Sequence, residues 1–239
     1  GNMFGAIEFY TKAHEAHIKP IIGIEAYVAP RSRFDRQKCS IADAAYHLII
    51  LAENNTGYQN LLKLASIGFT EGFYYRPRID KEILAEFNKG LLATSACPKG
   101  EIPTLLANGD EKAAAAVAES YVKTFGPDRF FIEIQNLQDG EPDIRQALID
   151  LAKKLGLPLV ATNDVHFLQE DDYEAHNCLC CISTGKNTDD PTRLIYPPDV
   201  FLKSPEQMYH LFPDITEACD NTSAIANRCN VELDLKTRR

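Results

Sequence analysis

The sequence contains no unbroken apolar run of the ~18 residues that cross a bilayer, so no membrane span is expected. It also lacks a charged-then-apolar leader, which leaves no export signal and makes the cytoplasm the expected compartment. Basic residues are in deficit: 25 Lys and Arg stand against 34 Asp and Glu, a formal net charge of −9. Neutralising duplex phosphates takes clustered Lys and Arg, so such a chain is a poor autonomous binder of double-stranded DNA and suits divalent cations better. There is no internal repeat and no low-complexity tract. The seven Cys are odd in number and scattered, and they read as free thiols rather than a disulfide framework.

What is present is ordinary for a globular chain. The 239 residues are 45% hydrophobic and 25% charged, enough for one large domain or a domain with an extension. Helical spacing covers residues 4–17, and a break at Lys19-Pro20 leads into a strand at 21–28. A polar, Arg-rich loop follows over 31–40. Strands are then predicted at 46–51, 90–94, 129–135 and 157–162. Helices are predicted at 57–67, from 81, at 111–125 and at 142–155, the last closed by Gly156 as a C-cap. This alternation of helices with short apolar strands predicts a parallel α/β architecture. The character changes after about residue 172. A helix is predicted at 173–182, a polar Pro-rich loop at 185–198, a helix with Ser204 as N-cap and Pro205 at its first position, and a helix at 216–229.

The chemistry gathers at strand ends. Asp164 and His166 follow the apolar run Leu157-Pro158-Leu159-Val160 and are two residues apart, a spacing that points both side chains the same way from an extended chain. A carboxylate and an imidazole there form a metal-ligand pair, although Asp-x-His also occurs as a helix N-cap followed by an incidental His. Glu25 lies in an otherwise apolar strand, a costly place for a carboxylate without a partner or a ligand. His47 opens the second strand, and Cys97 sits just past the third. A single His or Cys at such a position is commonly a core residue. The recurrence of Glu25, His47, Cys97, Asp164 and His166 over four of five predicted strands favours a mixed N/O/S metal site.

In order along the chain, the stretches 1–10 (GNMFGAIEFY), 20–27 (PIIGIEAY), 47–52 (HLIILA), 57–64 (GYQNLLKL), 95–102 (SACPKGEI) and 161–167 (ATNDVHF) resemble the PHP (polymerase and histidinol phosphatase) domain of bacterial replicative DNA polymerase III alpha subunits. The resemblance continues through 201–208 (FLKSPEQM) and 221–231. It implies a PHP-type distorted (β/α)7 barrel with a multinuclear centre of divalent metal (zinc, manganese or magnesium). Family ligands map onto Glu25, His47, Cys97, Asp164 and His166. The family's opening His-x-His strand and a following Asp-His lie ahead of the position of Gly1. The expectation is therefore a fragment, with the barrel lacking its first strands, a sub-stoichiometric metal load and an incomplete hydrolytic site. Residues 1–172 are expected to form the barrel and 173–239 a helical extension leading toward the polymerase core.

The implied partners are the remainder of the polymerase subunit, a proofreading exonuclease subunit, and DNA reached through the parent protein. The implied activity is DNA synthesis in the parent, with 3′–5′ exonuclease or phosphoesterase chemistry in the domain itself. The alternatives are a non-enzymatic scaffold for the exonuclease subunit and a stand-alone phosphoesterase resembling histidinol phosphatase.

Smaller features remain open at this point. Cys178-Leu179-Cys180-Cys181, with His176 before it, contains a C-x-x-C but lacks a well-spaced second pair, so helical core cysteines are the better reading. His14 and His17 share a helical face. Phe73-Tyr74-Tyr75-Arg76-Pro77-Arg78 mixes aromatics with Arg as single-strand contacts do, which marks Arg76 and Arg78 as candidate nucleic-acid contacts or a structured loop. Arg31, Arg33 and Arg36 form a basic loop, solvated or touching phosphate.

Overall fold

A computed structural model describes residues 1–37, 44–136 and 144–235. Its frame is a seven-stranded sheet in the order β3-β4-β1-β2-β5-β6-β7. The strands are β1 (Gly23–Val28), β2 (Tyr46–Ala52), β3 (Phe73–Tyr74), β4 (Arg76–Ile79), β5 (Leu91–Thr94), β6 (Phe130–Gln135) and β7 (Leu159–Thr162). The helices are α1 (Ala6–Glu15), α2 (Asn55–Thr70), α3 (Lys81–Glu86), α4 (Glu101–Ala107), α5 (Glu111–Phe125), α6 (Arg145–Leu155), α7 (Tyr173–Thr184), α8 (Pro205–Leu211) and α9 (Thr216–Arg228). None of them is long and apolar enough to cross a membrane.

The sheet is mixed, which corrects the parallel architecture expected from the sequence. β2 runs antiparallel to both of its neighbours, β1 and β5. β5, β6 and β7 are mutually parallel. This reversal decides where the site lies. The register pairs Tyr27 with His47 and Ile49 with Thr94. The start of β2 therefore meets the C-terminal ends of β1, β5, β6 and β7 at one edge of the sheet.

Local sequence explains most of the elements. In β1 the alternate residues Ile24, Ala26 and Val28 are buried, and in β2 so are Leu48, Ile50 and Ala52, the period-two signature of a strand packed on one face. Each large aliphatic side chain so buried stabilises the fold by roughly 1.5–3 kcal/mol. The face they form meets α2, whose N-cap Asn54 accepts the Gly57 N–H at 3.1 Å. Gly57 lies against the chain leading into β5, where a Cβ would fall 1.9 Å from the Gly90 carbonyl oxygen. Asp80 and Asp110 cap α3 and α5 in the same way as Asn54 caps α2. As the sequence predicts, Ser204 caps α8 with Pro205 at its start and Gly156 ends α6 at φ 63°; Gln207 adds a capping box on α8.

Three elements, β3, β4 and α4, were not read from the sequence. Residues 73–79 form the hairpin β3–β4, turning at Tyr75 with φ 60°. Residues 101–107 form α4, which packs on α5. Of the predicted Arg-rich loop, residues 38–40 lie outside the described residues, as do 142 and 143 at the head of the helix expected at 142–155. The stretch past residue 172 enters the main core: Phe212, Ala218, Cys219 and Val231 join the buried cluster that includes Leu48 and Ile132, and α9 packs on β7. Cys97, Cys178, Cys180, Cys181, Cys219 and Cys229 are free thiols, and Cys39 lies outside the described residues.

Candidate metal centre

Glu25 and His47 project from the same face of the β1–β2 ladder, opposite the packed core. Glu25 Oε1 lies 2.9 Å from His47 Nδ1. The His47 backbone N–H donates to the Lys99 carbonyl at 3.0 Å, which docks the turn after β5 onto the start of β2. That contact brings Cys97 Sγ to 3.4 Å from His47 Nδ1. Ligand atoms of Glu25, His47 and Cys97 all fall within 4.8 Å of one another, the one such group among the described residues. The turn is tight: Gly100 N–H donates to the Cys97 carbonyl at 2.8 Å, and a Cβ on Gly100 would meet the Ser95 carbonyl oxygen at 2.1 Å.

Electrostatics tie Asp164 to this group. Burial raises the Asp164 carboxyl above its usual range, and the Glu25 charge adds to that while His166, His47 and Lys99 oppose it. Burial, with the Asp164 charge second, pushes the Cys97 thiol up to about 12. The hydrogen bond from His47 holds the Glu25 carboxyl below its usual range against the opposing effect of burial.

The extended chain expected through Asp164 and His166 is not kept, although the His166 charge acts on Asp164 more strongly than any other. Asp164 takes φ 44°, which ends the extended conformation that the expectation requires. Neither residue enters the mutual 4.8 Å group of Glu25, His47 and Cys97. Asp164 is half-buried, whereas His166 is exposed. His166 Nδ1 lies 2.5 Å from the Asp164 carbonyl oxygen, which leaves Nε2 as its outward nitrogen. Its ring packs on Tyr196, centroids 4.0 Å apart, and lies 5.8 Å from the ring of His176. Asn163 anchors this segment by donating from Nδ2 to the carbonyls of Asp199 and Phe201, both at 2.8 Å.

Arg78 is corrected as a nucleic-acid contact. It is 3% exposed, and its guanidinium donates to the carbonyls of Gly72, Ala44, Arg33 and Asp35. Arg76 is exposed and lies over the Tyr27 ring at 5.6 Å. Arg33 of the basic loop pairs with Asp80 and Glu71, a structural use. Cys180 Sγ lies nearly equidistant from both ring nitrogens of His176, at 3.9 and 3.8 Å, so it is directed at neither nitrogen lone pair.

Sequence reasoning passed over Glu133, a carboxylate in the apolar run Phe130-Phe131-Ile132-Glu133-Ile134. The signal that marked Glu25 was there as well. Glu133 is 4% exposed, and burial raises its carboxyl above the usual range, offset in part by the hydroxyls of Thr162 and Thr94 and the amide of Gln135. Tyr196, in a polar loop, carried no such signal.

A carboxylate, an imidazole and a thiol converging within bonding reach of one point form a donor set that fits a divalent ion of intermediate softness. The PHP domain family's sequence profile matches residues 1–137, more than half of the chain, and the chain belongs to that family. Its relatives are more particular. It is 48% identical over 235 residues to the DNA polymerase III subunit alpha of Treponema pallidum, covering 98% of this chain and 20% of that protein. It is 46% identical to the DNA polymerase III subunit alpha of Borreliella burgdorferi, covering 96% of this chain, and to that of Thermus aquaticus, covering 98%. The chain thus spans about a fifth of the length of the curated relatives it matches.

Proposed function

We propose that this chain is the PHP portion of a replicative DNA polymerase alpha subunit and binds divalent metal through Glu25, His47 and Cys97, with Asp164 and His166 completing the centre. The observation that carries the reading is the convergence of Glu25, His47 and Cys97 within 4.8 Å at the sheet edge that also receives Asp164. The mixed sheet is read as the main part of a PHP-type distorted barrel, with that edge as its mouth.

The residues divide the work by chemistry. Glu25 supplies a hard oxygen ligand already ionised by its bond to His47. Cys97 supplies sulfur and must lose its proton on binding, which favours zinc over magnesium. The Asp164 carbonyl orients His166, leaving its outward nitrogen free to bind. When bound, the ion lowers the pKa of a water and polarises a phosphoryl oxygen, the chemistry of phosphoester hydrolysis. Lys99 is exposed at the rim, its charge acting on both Glu25 and Asp164, and it is placed to meet a phosphate. DNA synthesis belongs to the longer parent in this reading.

A second role, as a docking platform for the rest of the polymerase or its exonuclease subunit, draws on one observation. Phe4, Phe69 and Phe73 are exposed and packed in a row, with ring centroids 5.7 and 6.2 Å apart.

The test is metal content after dialysis against trace zinc and manganese, measured for the wild type, Glu25→Ala and Cys97→Ala. Bound metal in the wild type that both variants lose supports the centre. Full occupancy in both variants, or none in the wild type, overturns it. Chelator-sensitive release of nucleotides from a 3′ end then separates a nuclease from a platform.

A further inference from the structure

We propose that Glu133 is the positioning residue of this centre, a single buried carboxyl that sets the spacing between its Cys97 side and its Asp164 side. The inference rests on the metal-binding reading above. Glu133 lies outside the proposed ligand set. Its side chain bonds instead to the two strand ends that deliver ligands.

On one side, Glu133 Oε2 accepts a short hydrogen bond from the Thr94 hydroxyl at the end of β5. Thr94 Oγ1 in turn accepts the Ala96 N–H at 3.3 Å. Ala96 immediately precedes Cys97 and sits at φ 63°, a left-handed backbone that a non-glycine residue keeps only where its surroundings over-determine it. The backbone N–H of Glu133 donates to Ser95 Oγ at 2.8 Å, a second tie to the same turn. On the other side, Glu133 Oε1 accepts from the Thr162 hydroxyl at 2.5 Å and from Gln135 Nε2 at 2.8 Å. Gln135 Nε2 also donates to Thr162 Oγ1 at 3.0 Å. Thr162 ends β7, two residues before Asp164, which is itself left-handed at φ 44°. One carboxyl therefore spans three neighbouring strands and braces both strained segments that carry ligands.

The sheet does not need this group. β5, β6 and β7 are already joined by parallel ladders, and apart from Thr94, which itself bonds Glu133, their other buried positions are apolar. A buried carboxyl is a costly way to hold strands that an aliphatic side chain of similar volume would hold. Its hydrogen bonds lead to the residues that flank Cys97 and Asp164, where ligand spacing is set.

The test is a Co(II) titration of the full chain, read by the thiolate-to-cobalt charge-transfer absorption of Cys97, with thermal unfolding of each metal-free protein alongside. Glu133→Gln keeps the shape but puts an N–H where an accepting oxygen stood. Thr162→Val removes one bond to Glu133 at a half-exposed position, and Thr162→Ser restores the hydroxyl. Glu133→Gln and Thr162→Val should weaken Co(II) binding by roughly 10- to 100-fold, the usual effect of losing a group that orients a ligand. Thr162→Ser should match the wild type. A fall in metal-free melting temperature without a fall in affinity means a purely structural role and overturns the inference. Should Glu133→Gln fail to fold, the Thr162→Val and Thr162→Ser pair decides alone. No absorption from the wild type means the metal-binding reading has failed. Wild-type absorption with equal affinity in the variants means that only the positioning role has.

Discussion

Replacing Arg78 with Met should strongly destabilise the protein. The side chain is 3% exposed and reaches four backbone carbonyls that have come together from distant parts of the chain. Its Nη2 bonds the carbonyls of Arg33 and Asp35 at 3.2 and 2.6 Å, Nη1 that of Ala44 at 3.2 Å, and Nε that of Gly72 at 3.1 Å. Met fills much of the same volume but donates nothing. The Gly72 oxygen keeps a weaker bond from the Arg78 backbone N–H at 3.4 Å, so three acceptors bear most of the loss. Each hydrogen bond to a charged group contributes about 1.5–3 kcal/mol, and these contributions do not add in full. A loss of roughly 3–5 kcal/mol follows, the range for removing one partner of a buried charged network. That is a large share of the ~5–15 kcal/mol available to a domain. In urea, with a slope of about 2–3 kcal/mol per molar, the midpoint should fall by ~1–2 M at unchanged slope. Arg76→Met is the control. That residue is exposed over Tyr27 and should change stability by less than ~1 kcal/mol. An Arg78→Met protein within about 1 kcal/mol of wild type would refute the argument. Lost oligonucleotide binding at unchanged stability would return Arg78 to the contact role that its neighbours in sequence suggest.

Three further outcomes are expected. Because the Cys97 thiol sits at about 12 without metal, zinc binding at neutral pH should release close to one proton from it, so affinity should fall roughly tenfold per unit as pH is lowered. Calorimetry in buffers of different ionisation enthalpy reads that proton directly, and no release would show that the thiol is not a ligand. Gly100→Ala places a methyl group 2.1 Å from the Ser95 carbonyl and should cost about 1–3 kcal/mol of stability while weakening metal uptake; unchanged uptake would mean that the turn geometry is not what delivers Cys97. The lowered Glu25 carboxyl gives a sign that can be checked in metal-free protein. Its contribution is present above the ordinary value of 4.5 and is lost as pH falls through the depressed folded-state value. The stability gap between wild type and Glu25→Gln should therefore narrow as the pH is lowered below the ordinary value of 4.5, and a constant gap would show that the bond to His47 contributes nothing.

Most of the fold was legible because its signals are local. Ser204 and Gly156 start or stop helices through their own side chain or backbone, and β1 and β2 announce themselves as short apolar runs. Strand direction is not local. Nothing in residues 46–52 says that β2 runs antiparallel, because its apolar pattern reads the same in both directions. The hairpin at residues 73–79 was hidden by Pro77 and by a turn at Tyr75, a bulky residue seldom found at positive φ. At the centre, the residue types pointed to Glu25, His47 and Cys97, but the left-handed turn at Asp164 is a backbone angle that no composition encodes. Arg78 looked like its neighbours Arg76 and Arg33, and only packing separates an exposed guanidinium from one that closes four carbonyls.

The reversal of β2 also bears on how the protein reaches its native state. The contact between His47 and Cys97 joins residues 50 apart and depends on β2 having already paired with β1 on one side and β5 on the other. Contacts of such long sequence separation form slowly, since the intervening chain must be ordered before they contribute anything. The ligand cluster is therefore expected to form late in folding rather than to seed it. Metal uptake by a refolding sample should lag behind helix formation, and a partly assembled chain would leave Cys97 an accessible thiol, open to oxidation before the turn closes over it.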